Sequence, residues 1–214
     1  MRPPLPKYNV IWEVETVVNC LKELNDNSSS DKDLTLKTTM LMALTAIKRC
    51  SDLHFLDNRF MALGEDKIVF KLLGKPKNFR KKGKVPDPIT FWASGLDLCP
   101  VATIKAYIDR TAPWREENAE TQFFLSYKKP HHAITSSTIG RWLKTVLGNV
   151  VVDTTKFTAH STRAASSSKY KTTLGASVTE IMNCGNWKSN SVWQSFYHKP
   201  IVSDLREAQK SLLK

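Results

Sequence analysis

Four side chains in this sequence are of types that could move a phosphodiester bond onto a protein hydroxyl. His160 and Arg163 stand three residues apart, so on a helical turn both would face the same side. Arg49 offers a second guanidinium, and Tyr197 offers a phenol near the C-terminal end. Such a transfer needs a nucleophile, cations that hold the non-bridging oxygens, and a donor that protonates the departing sugar oxygen.

A candidate proton donor lies in a strongly basic segment. The chain has 32 Lys and Arg residues against 20 Asp and Glu, and this net charge of +12 attracts polyanions such as nucleic acid or an anionic membrane. Segment 71–84 contains no acid and seven of the bases: Lys71, Lys75, Lys77, Arg80, Lys81, Lys82 and Lys84. A solvated loop or a localisation signal is the plainer interpretation of such a run.

Composition excludes several other classes of protein. With 41% hydrophobic residues in 214, the chain can fill one core, so we expect one main domain. No stretch approaches the roughly 20 apolar residues of a membrane span, which predicts a soluble, intracellular protein. The four cysteines form no C-x-x-C pair and are expected to be reduced core thiols, and His131-His132 lacks a third metal ligand.

Helical periodicity predicts the elements that position these side chains. Apolar residues at three- and four-residue steps predict a first helix over 10–24, followed by a polar linker over 25–33. A second helix, with an apolar face of Leu36, Met40, Leu44 and Ile47, is expected to deliver Arg49 and Asp52 near its end.

The middle of the chain predicts a small sheet. Segment 60–91 has a turn at 64–66, a β-prone run over 67–73 and a third apolar run over 86–91, which together indicate three antiparallel strands. The basic segment would then be an arm that connects the second and third strands. The expected fold class is α+β and mainly helical.

Capping signals predict the later helices. Pro100 is expected at the first position of one helix, and Ser136 or Ser137 at the start of another. Ser177 and Glu180 have the spacing of a capping box, and Gly185 is placed to end that short helix. Two final helices are predicted over 191–197 and 202–213.

The order of these features resembles the catalytic domain of tyrosine recombinases over residues 34–197. The H-x-x-R of His160 and Arg163, a Trp187 that follows a glycine, and Tyr197 ten residues later are similar to the end of that domain. Upstream, Arg49 is followed three residues later by Asp52, where the family more often has glutamate. The helical catalytic domain of the family, with its small antiparallel sheet, is the DNA breaking-rejoining enzyme fold.

Two positions depart from the family pattern. The family's tyrosine more often stands one position earlier, where this chain has Phe196, and one extra loop residue after Trp187 would account for the shift. The usual glycine before the first arginine is absent, because the sequence there is Ala46-Ile47-Lys48. The sequence around Leu98-Cys99-Pro100-Val101 and His160–Ala165 resembles that of recombinases of eukaryotic mobile elements of the DIRS and Crypton types. This resemblance implies a nuclear protein.

The resemblance implies a role for each residue. Arg49 and Arg163 would clamp the scissile phosphate, Tyr197 would attack it to give a 3′-phosphotyrosyl link, and Asp52 would support Arg49. Lys77, with Lys75 as its nearest rival, would protonate the leaving 5′ oxygen, while His160 and Trp187 would position the phosphate. No metal or nucleotide cofactor is implied. The remaining bases of the arm would bind DNA: Lys75, Arg80, Lys81, Lys82 and Lys84.

The resemblance also implies a layout and partners. Residues 1–30 would form the first helix and linker of the catalytic domain, 31–200 its body and 201–214 a last helix. The partner would be double-stranded DNA, bound by a homotetramer. Only 48 residues precede Arg49, so we expect a catalytic domain or a fragment of a longer recombinase. Two other functions stay open: an inactive, domesticated DNA-binding protein, and a basic module that binds RNA or proteins.

Overall fold

The computed structural model describes residues 7–72, 86–150 and 152–201. Within these ranges the chain is mainly helical, and the predicted α+β class with a three-stranded antiparallel sheet is confirmed. The predicted helix over 202–213 and most of the basic arm lie outside the described residues. The elements are α1 Val14–Glu23, α2 Asp31–Ala46, α3 Cys50–His54, a 3-10 turn Asn58–Phe60, β1 Met61–Leu63, β2 Lys67–Phe70, β3 Ile89–Trp92, α4 Pro100–Asn118, α5 Ser136–Asn149, α6 Ala159–Thr172, α7 Val178–Gly185 and α8 Asn190–Phe196.

Helix α2 runs through the centre of the core and is buried almost all the way round. It packs against α4, α5, α6 and β3. Threonines can occupy this core because each hydroxyl donates to the carbonyl four residues back, as Thr38 does to Leu34 at 2.7 Å and Thr39 to Thr35 at 2.7 Å. A helix surrounded in this way needs no polar face, so the one-sided pattern seen in the sequence underestimates its burial.

The end of α2 differs from the prediction. The helix stops at Ala46, and Ile47 adopts the left-handed conformation with φ 52°. Arg49 therefore does not lie near the end of α2 but is the N-cap of the separate helix α3. A left-handed conformation costs an L-residue about 1–2 kcal/mol. The fully buried Ile47 side chain offsets this cost by packing with Ile181, Trp187 and Trp193.

Substitutions at Ile47 should reverse the usual ranking of alanine and glycine. Ile47→Ala removes the buried side chain and keeps the strain, which we expect to cost about 2–5 kcal/mol in the free energy of unfolding. Ile47→Gly loses the same contacts but relieves the strain, so it should be about 1 kcal/mol more stable than the alanine variant. Urea unfolding measures both. A more stable alanine variant would contradict the left-handed assignment.

The sheet has the strand order β1-β2-β3, with both pairs antiparallel. Ile68 and Phe70 of β2 and Ile89 and Phe91 of β3 are buried. Trp92 is exposed, in agreement with the alternation of a sheet that covers a core on one face. The predicted strands are confirmed but shorter than the apolar runs indicated.

The later helix boundaries confirm some predictions and correct others. Pro100 is the first residue of α4, as predicted, but the cap of α5 is Thr135, whose hydroxyl accepts from the Thr138 N–H, and not Ser136 or Ser137. The Ser177–Glu180 capping box is present. Gly185 is the last residue of α7, as predicted, but the left-handed C-cap that follows it is Asn186.

Two other expectations concern the cysteines and membrane-spanning helices. The four cysteines are free, as expected, but half-buried, and they pack against the edges of the hydrophobic clusters rather than at their centres. Over the described ranges, none of the helices is both long and apolar enough to cross a membrane.

The segment before α1 contacts two parts of the chain that flank the candidate residues. The Tyr8 hydroxyl lies 2.7 Å from the Thr158 hydroxyl, and the Trp12 indole donates to Ser161 at 2.8 Å. The Ile11 N–H donates to the Pro200 carbonyl at 2.8 Å, and Ile11 pairs in parallel with the next residue, 201. We call this segment, residues 8–12, the N-terminal brace.

Candidate active site

The fold brings Arg163, Trp187 and Tyr197 into direct contact. The Arg163 guanidinium carbon lies 3.9 Å from the centre of the Trp187 ring and 5.1 Å from the centre of the Tyr197 ring. The two rings meet edge to face, with centres 4.8 Å apart. These residues come from three elements: α6, the turn after α7, and the residue that follows α8. Cation–π attraction and edge-to-face packing stabilise the group.

Several hydrogen-bond donors of Arg49, Arg163 and Trp187 are buried without an acceptor among the described residues. Arg163 is 3% exposed and donates through Nη2 to the Gly185 carbonyl. Its Nε and Nη1 have no hydrogen-bond partner in the described part of the chain, and the same holds for Nη1 of Arg49 and Nε1 of Trp187. Leaving a buried charged donor unpaired costs folding free energy. An anion that accepted from them would recover that free energy.

The charge of Arg163 depends on its surroundings. Burial, followed by the neighbouring charge of Arg49, lowers the pKa of Arg163 to about 9, while Tyr197 and Asp52 act in the opposite direction. The guanidinium therefore keeps its charge at neutral pH. A phosphate beside it would raise this pKa, since an opposite charge favours the protonated form.

Asp52 fixes the other arginine. Its carboxylate is almost fully buried, accepts from the Arg49 backbone N–H at 3.1 Å and lies 3.9 Å from Nη1 of the Arg49 side chain. Because these contacts close the first turn of α3, the arginine and its acid are held as one unit. The i,i+3 spacing read from the sequence is thus a capping interaction.

Around Tyr197 there are two recesses. A cleft of about 600 Å³ is lined by Arg49, His160 and Tyr197, together with the first turns of α3 and α5. A second recess of about 430 Å³ is lined by Arg49, Trp187, Tyr197 and the start of α8. Arg49 and Tyr197 border both, and His160 is exposed in the first turn of α6.

Gly185 permits the close approach of Trp187 to Arg163. A Cβ at position 185 would overlap the six-membered ring of Trp187, which folds back over this residue. The left-handed Asn186 makes the turn that reverses the chain. The sequence placed Gly185 at the end of the helix, where the structure also has it, and the structure adds that this residue leaves room for the indole.

Gly185→Ala should therefore destabilise the protein. The added methyl group must displace Trp187, and such overpacking costs about 1–3 kcal/mol. Gly148→Ala in helix α5 is the matched control, because among the described residues its Cβ would meet only Thr154 Cγ2, at 3.7 Å. We expect the control to gain up to about 1 kcal/mol. Chemical denaturation compares the two, and equal stabilities would rule out the steric explanation.

Two polar residues near the site were missed from the sequence. Lys48 donates to the Cys184 carbonyl at 2.5 Å, and burial lowers the pKa of this lysine. Ser168 contacts the backbone at Tyr197 and Lys199. The only sequence signal for Ser168 is the run of small residues that follows Arg163, which lets another segment approach α6.

Lys77, the predicted proton donor, and most of the basic arm lie outside the described residues. Lys71 is exposed, and the remaining bases lie outside the described residues: Lys75, Lys77, Arg80, Lys81, Lys82 and Lys84. Among the described side chains, no cluster of three or more His, Cys, Asp or Glu residues could hold a metal ion.

The fold matches solved structures of recombinases, whereas no protein-family model and no curated protein sequence matches. The XerA recombinase aligns with a TM-score of 0.65 and 19% identity, covering 100% of this chain and 68% of that one. The XerH site-specific recombinase, bound to palindromic difH substrate in a post-cleavage complex, aligns with a TM-score of 0.63 and 11% identity, covering 95% and 52%. Lambda integrase(75-356), a dimer bound to a COC′ core site, aligns with a TM-score of 0.56 and 14% identity, covering 93% and 62%.

These likenesses define the class of fold. The chain has the fold of the tyrosine recombinase catalytic domain. It spans about half the length of the XerH chains.

Proposed function

We propose that this protein is a site-specific tyrosine recombinase or integrase that cleaves and rejoins double-stranded DNA. The observation that carries the proposal is the Arg163 guanidinium, packed against Trp187 and Tyr197 with two unpaired donors. A buried cation with free N–H groups suits a phosphate, and a phenol beside it suits attack on that phosphate.

The proposed chemistry takes its residue roles from the resemblance to tyrosine recombinases. The Tyr197 phenol loses its proton to solvent and its oxygen attacks phosphorus, the bond from phosphorus to the 5′ oxygen breaks, and a 3′-phosphotyrosyl link forms. Arg49 and Arg163 neutralise the charge that builds on the non-bridging oxygens, since a planar guanidinium matches two oxygens at once. His160 and Trp187 hydrogen-bond to the phosphate, and Lys77 protonates the departing 5′ oxygen to give a 5′ hydroxyl. Because a phosphodiester is exchanged for a phosphodiester, a second DNA end can reverse the step.

The finer parts of the proposal rest on the sequence. We include an origin in a DIRS- or Crypton-type mobile element, a nuclear location, a catalytic domain over 31–200 and assembly as a homotetramer on DNA. Basic residues of the arm would contact the duplex backbone through phosphate charges, which makes the affinity strongly dependent on salt.

A covalent-capture assay tests the proposal. The full chain is incubated with labelled duplexes of randomised sequence that carry a nick, so that a short strand diffuses away after cleavage and traps the intermediate. After denaturation, DNA that stays attached to protein is isolated and sequenced. We expect attachment through a 3′ phosphate and an enriched target sequence. Binding without attachment across the library would reject strand cleavage.

A second candidate function is DNA binding without cleavage. The observation that favours it is the cover over Arg163, since Trp187 and Tyr197 leave only 3% of this residue exposed. A phosphate could then meet Arg49 at the cleft without reaching Arg163. The same assay separates the two functions, because the binding protein would give salt-sensitive complexes that denaturation dissociates entirely.

A further inference from the structure

One hydroxyl of α6 holds the backbone of the candidate nucleophile. Ser168 is fully buried, five residues after Arg163 on the same helix. Its hydroxyl donates to the Tyr197 carbonyl at 3.0 Å and accepts from the Lys199 N–H at 2.9 Å. The hydroxyl thus closes the turn on both sides of residue 198 and ties that turn to the helix that carries Arg163.

The turn needs this support because α8 ends just before it. Tyr197 is the first residue after the helix, with φ −123° and ψ −30°. Its N–H still bonds to the Trp193 carbonyl at 2.8 Å, but its own carbonyl lies beyond the helical hydrogen bonds. Ser168 supplies the donor that a further turn of helix would have provided. The direction of the Tyr197 side chain is therefore set from α6 as well as from α8.

Neighbouring contacts hold the rest of this segment independently. The Lys199 ammonium donates to the Ser195 carbonyl at 2.5 Å, and the Pro200 carbonyl accepts from Ile11 of the N-terminal brace at 2.8 Å. Loss of the Ser168 hydroxyl alone would leave both ends attached. The expected result is a tyrosine that reorients within a folded protein.

We propose that Ser168 is a positioning residue for Tyr197: its hydroxyl sets the phenol against Arg163. This inference rests on the proposed function, because it assigns Ser168 a part in strand cleavage. Ser168 does not touch the DNA in this assignment and acts only through the backbone of the nucleophile.

The test compares Ser168→Ala with Ser167→Ala. Ser167 is also fully buried on α6, but among the described residues its hydroxyl bonds only to the Ala164 carbonyl of its own helix, at 3.2 Å. With the captured DNA sequence as substrate, we expect Ser168→Ala to lower the rate of covalent attachment at saturating DNA by about 100-fold, the size of effect caused by small misplacements. The DNA concentration for half-maximal rate should be unchanged, and Ser167→Ala should match the wild type in both quantities.

A second measurement needs no DNA. Nuclear Overhauser contacts between the Tyr197 and Trp187 rings should be present in the wild type and in Ser167→Ala, and weakened in Ser168→Ala. Ser168→Cys is nearly isosteric, but its thiol is a weaker donor, so its attachment rate and its ring contacts should lie between those of the wild type and Ser168→Ala. This variant also provides a test if Ser168→Ala does not fold. Unchanged ring contacts and unchanged rate in the Ser168 variants would overturn the assignment. If the wild type attaches no DNA, the proposed function and the part of Ser168 in cleavage fail together, and the ring contacts alone decide whether Ser168 positions the phenol.

Discussion

Tyr197→Phe is expected to abolish covalent attachment of DNA, with a fall of at least about 1000-fold, as for removal of other covalent nucleophiles. The substitution removes only the attacking oxygen. The ring remains, so its contacts with Trp187 and Arg163 should persist and DNA binding should be unchanged. The measurement is the fraction of nicked duplex that stays with the denatured protein.

Two further variants test whether the loss of attachment is specific to the Tyr197 hydroxyl. Tyr170→Phe is the matched control, because Tyr170 is another partly buried phenol whose hydroxyl donates to the Thr45 carbonyl at 3.2 Å. It should attach DNA normally. The double variant Phe196→Tyr/Tyr197→Phe moves the phenol to the spacing more usual in tyrosine recombinases. We expect no rescue, since residue 196 belongs to the last turn of α8 and does not line the cleft; attachment by this double variant would transfer the role of nucleophile to position 196.

Arg163→Lys is expected to lower the rate of attachment by about 100- to 1000-fold, although the positive charge is kept. An ammonium cannot present two parallel donors to a phosphate, and it cannot at once bond the Gly185 carbonyl and stack on the Trp187 ring. The loss should appear in the rate at saturating DNA. It should persist at low salt, where weak phosphate contacts are strengthened.

The control for this prediction is Arg59→Lys. Arg59 is a mostly exposed arginine paired with Asp57 at 2.9 Å, and it lines neither recess of the candidate site. A surface pair of this kind contributes little to stability, so neither folding nor attachment should change. If Arg163→Lys attached DNA as fast as Arg59→Lys, the proposed clamp would be wrong, and Arg49 alone would have to hold the phosphate.

The sequence predicted the elements better than the junctions between them. Helices α1 and α2 follow from short-range periodicity and the sheet from β-prone runs with a turn between them, and the order of His160, Arg163, Trp187 and Tyr197 was enough to expect the recombinase fold. The break at Ile47 could not be predicted, because isoleucine is a poor residue for the left-handed region and only the buried contacts of its side chain hold it there. Propensity is local, and tertiary packing overrides it.

The candidate site was predictable by residue type but not by arrangement. The sequence identified Tyr197 as the candidate nucleophile, but the packing of its ring on Arg163 is a tertiary contact that motif spacing does not indicate. The bond from Ser168 to Tyr197 joins residues 29 positions apart. Neither hydrophobic periodicity nor motif spacing records such a contact. The assignment of Lys77 stays a prediction from resemblance.

The N-terminal brace determines how far the protein could be shortened. Cutting the chain to residues 31–200 would remove Trp12 from Ser161 and Ile11 from Pro200. It would also remove α1, whose Val17 and Leu21 belong to the main core. We therefore expect a fragment that begins at residue 31 to be less stable than one that begins at residue 7, well upstream of the segment in which the candidate chemistry starts.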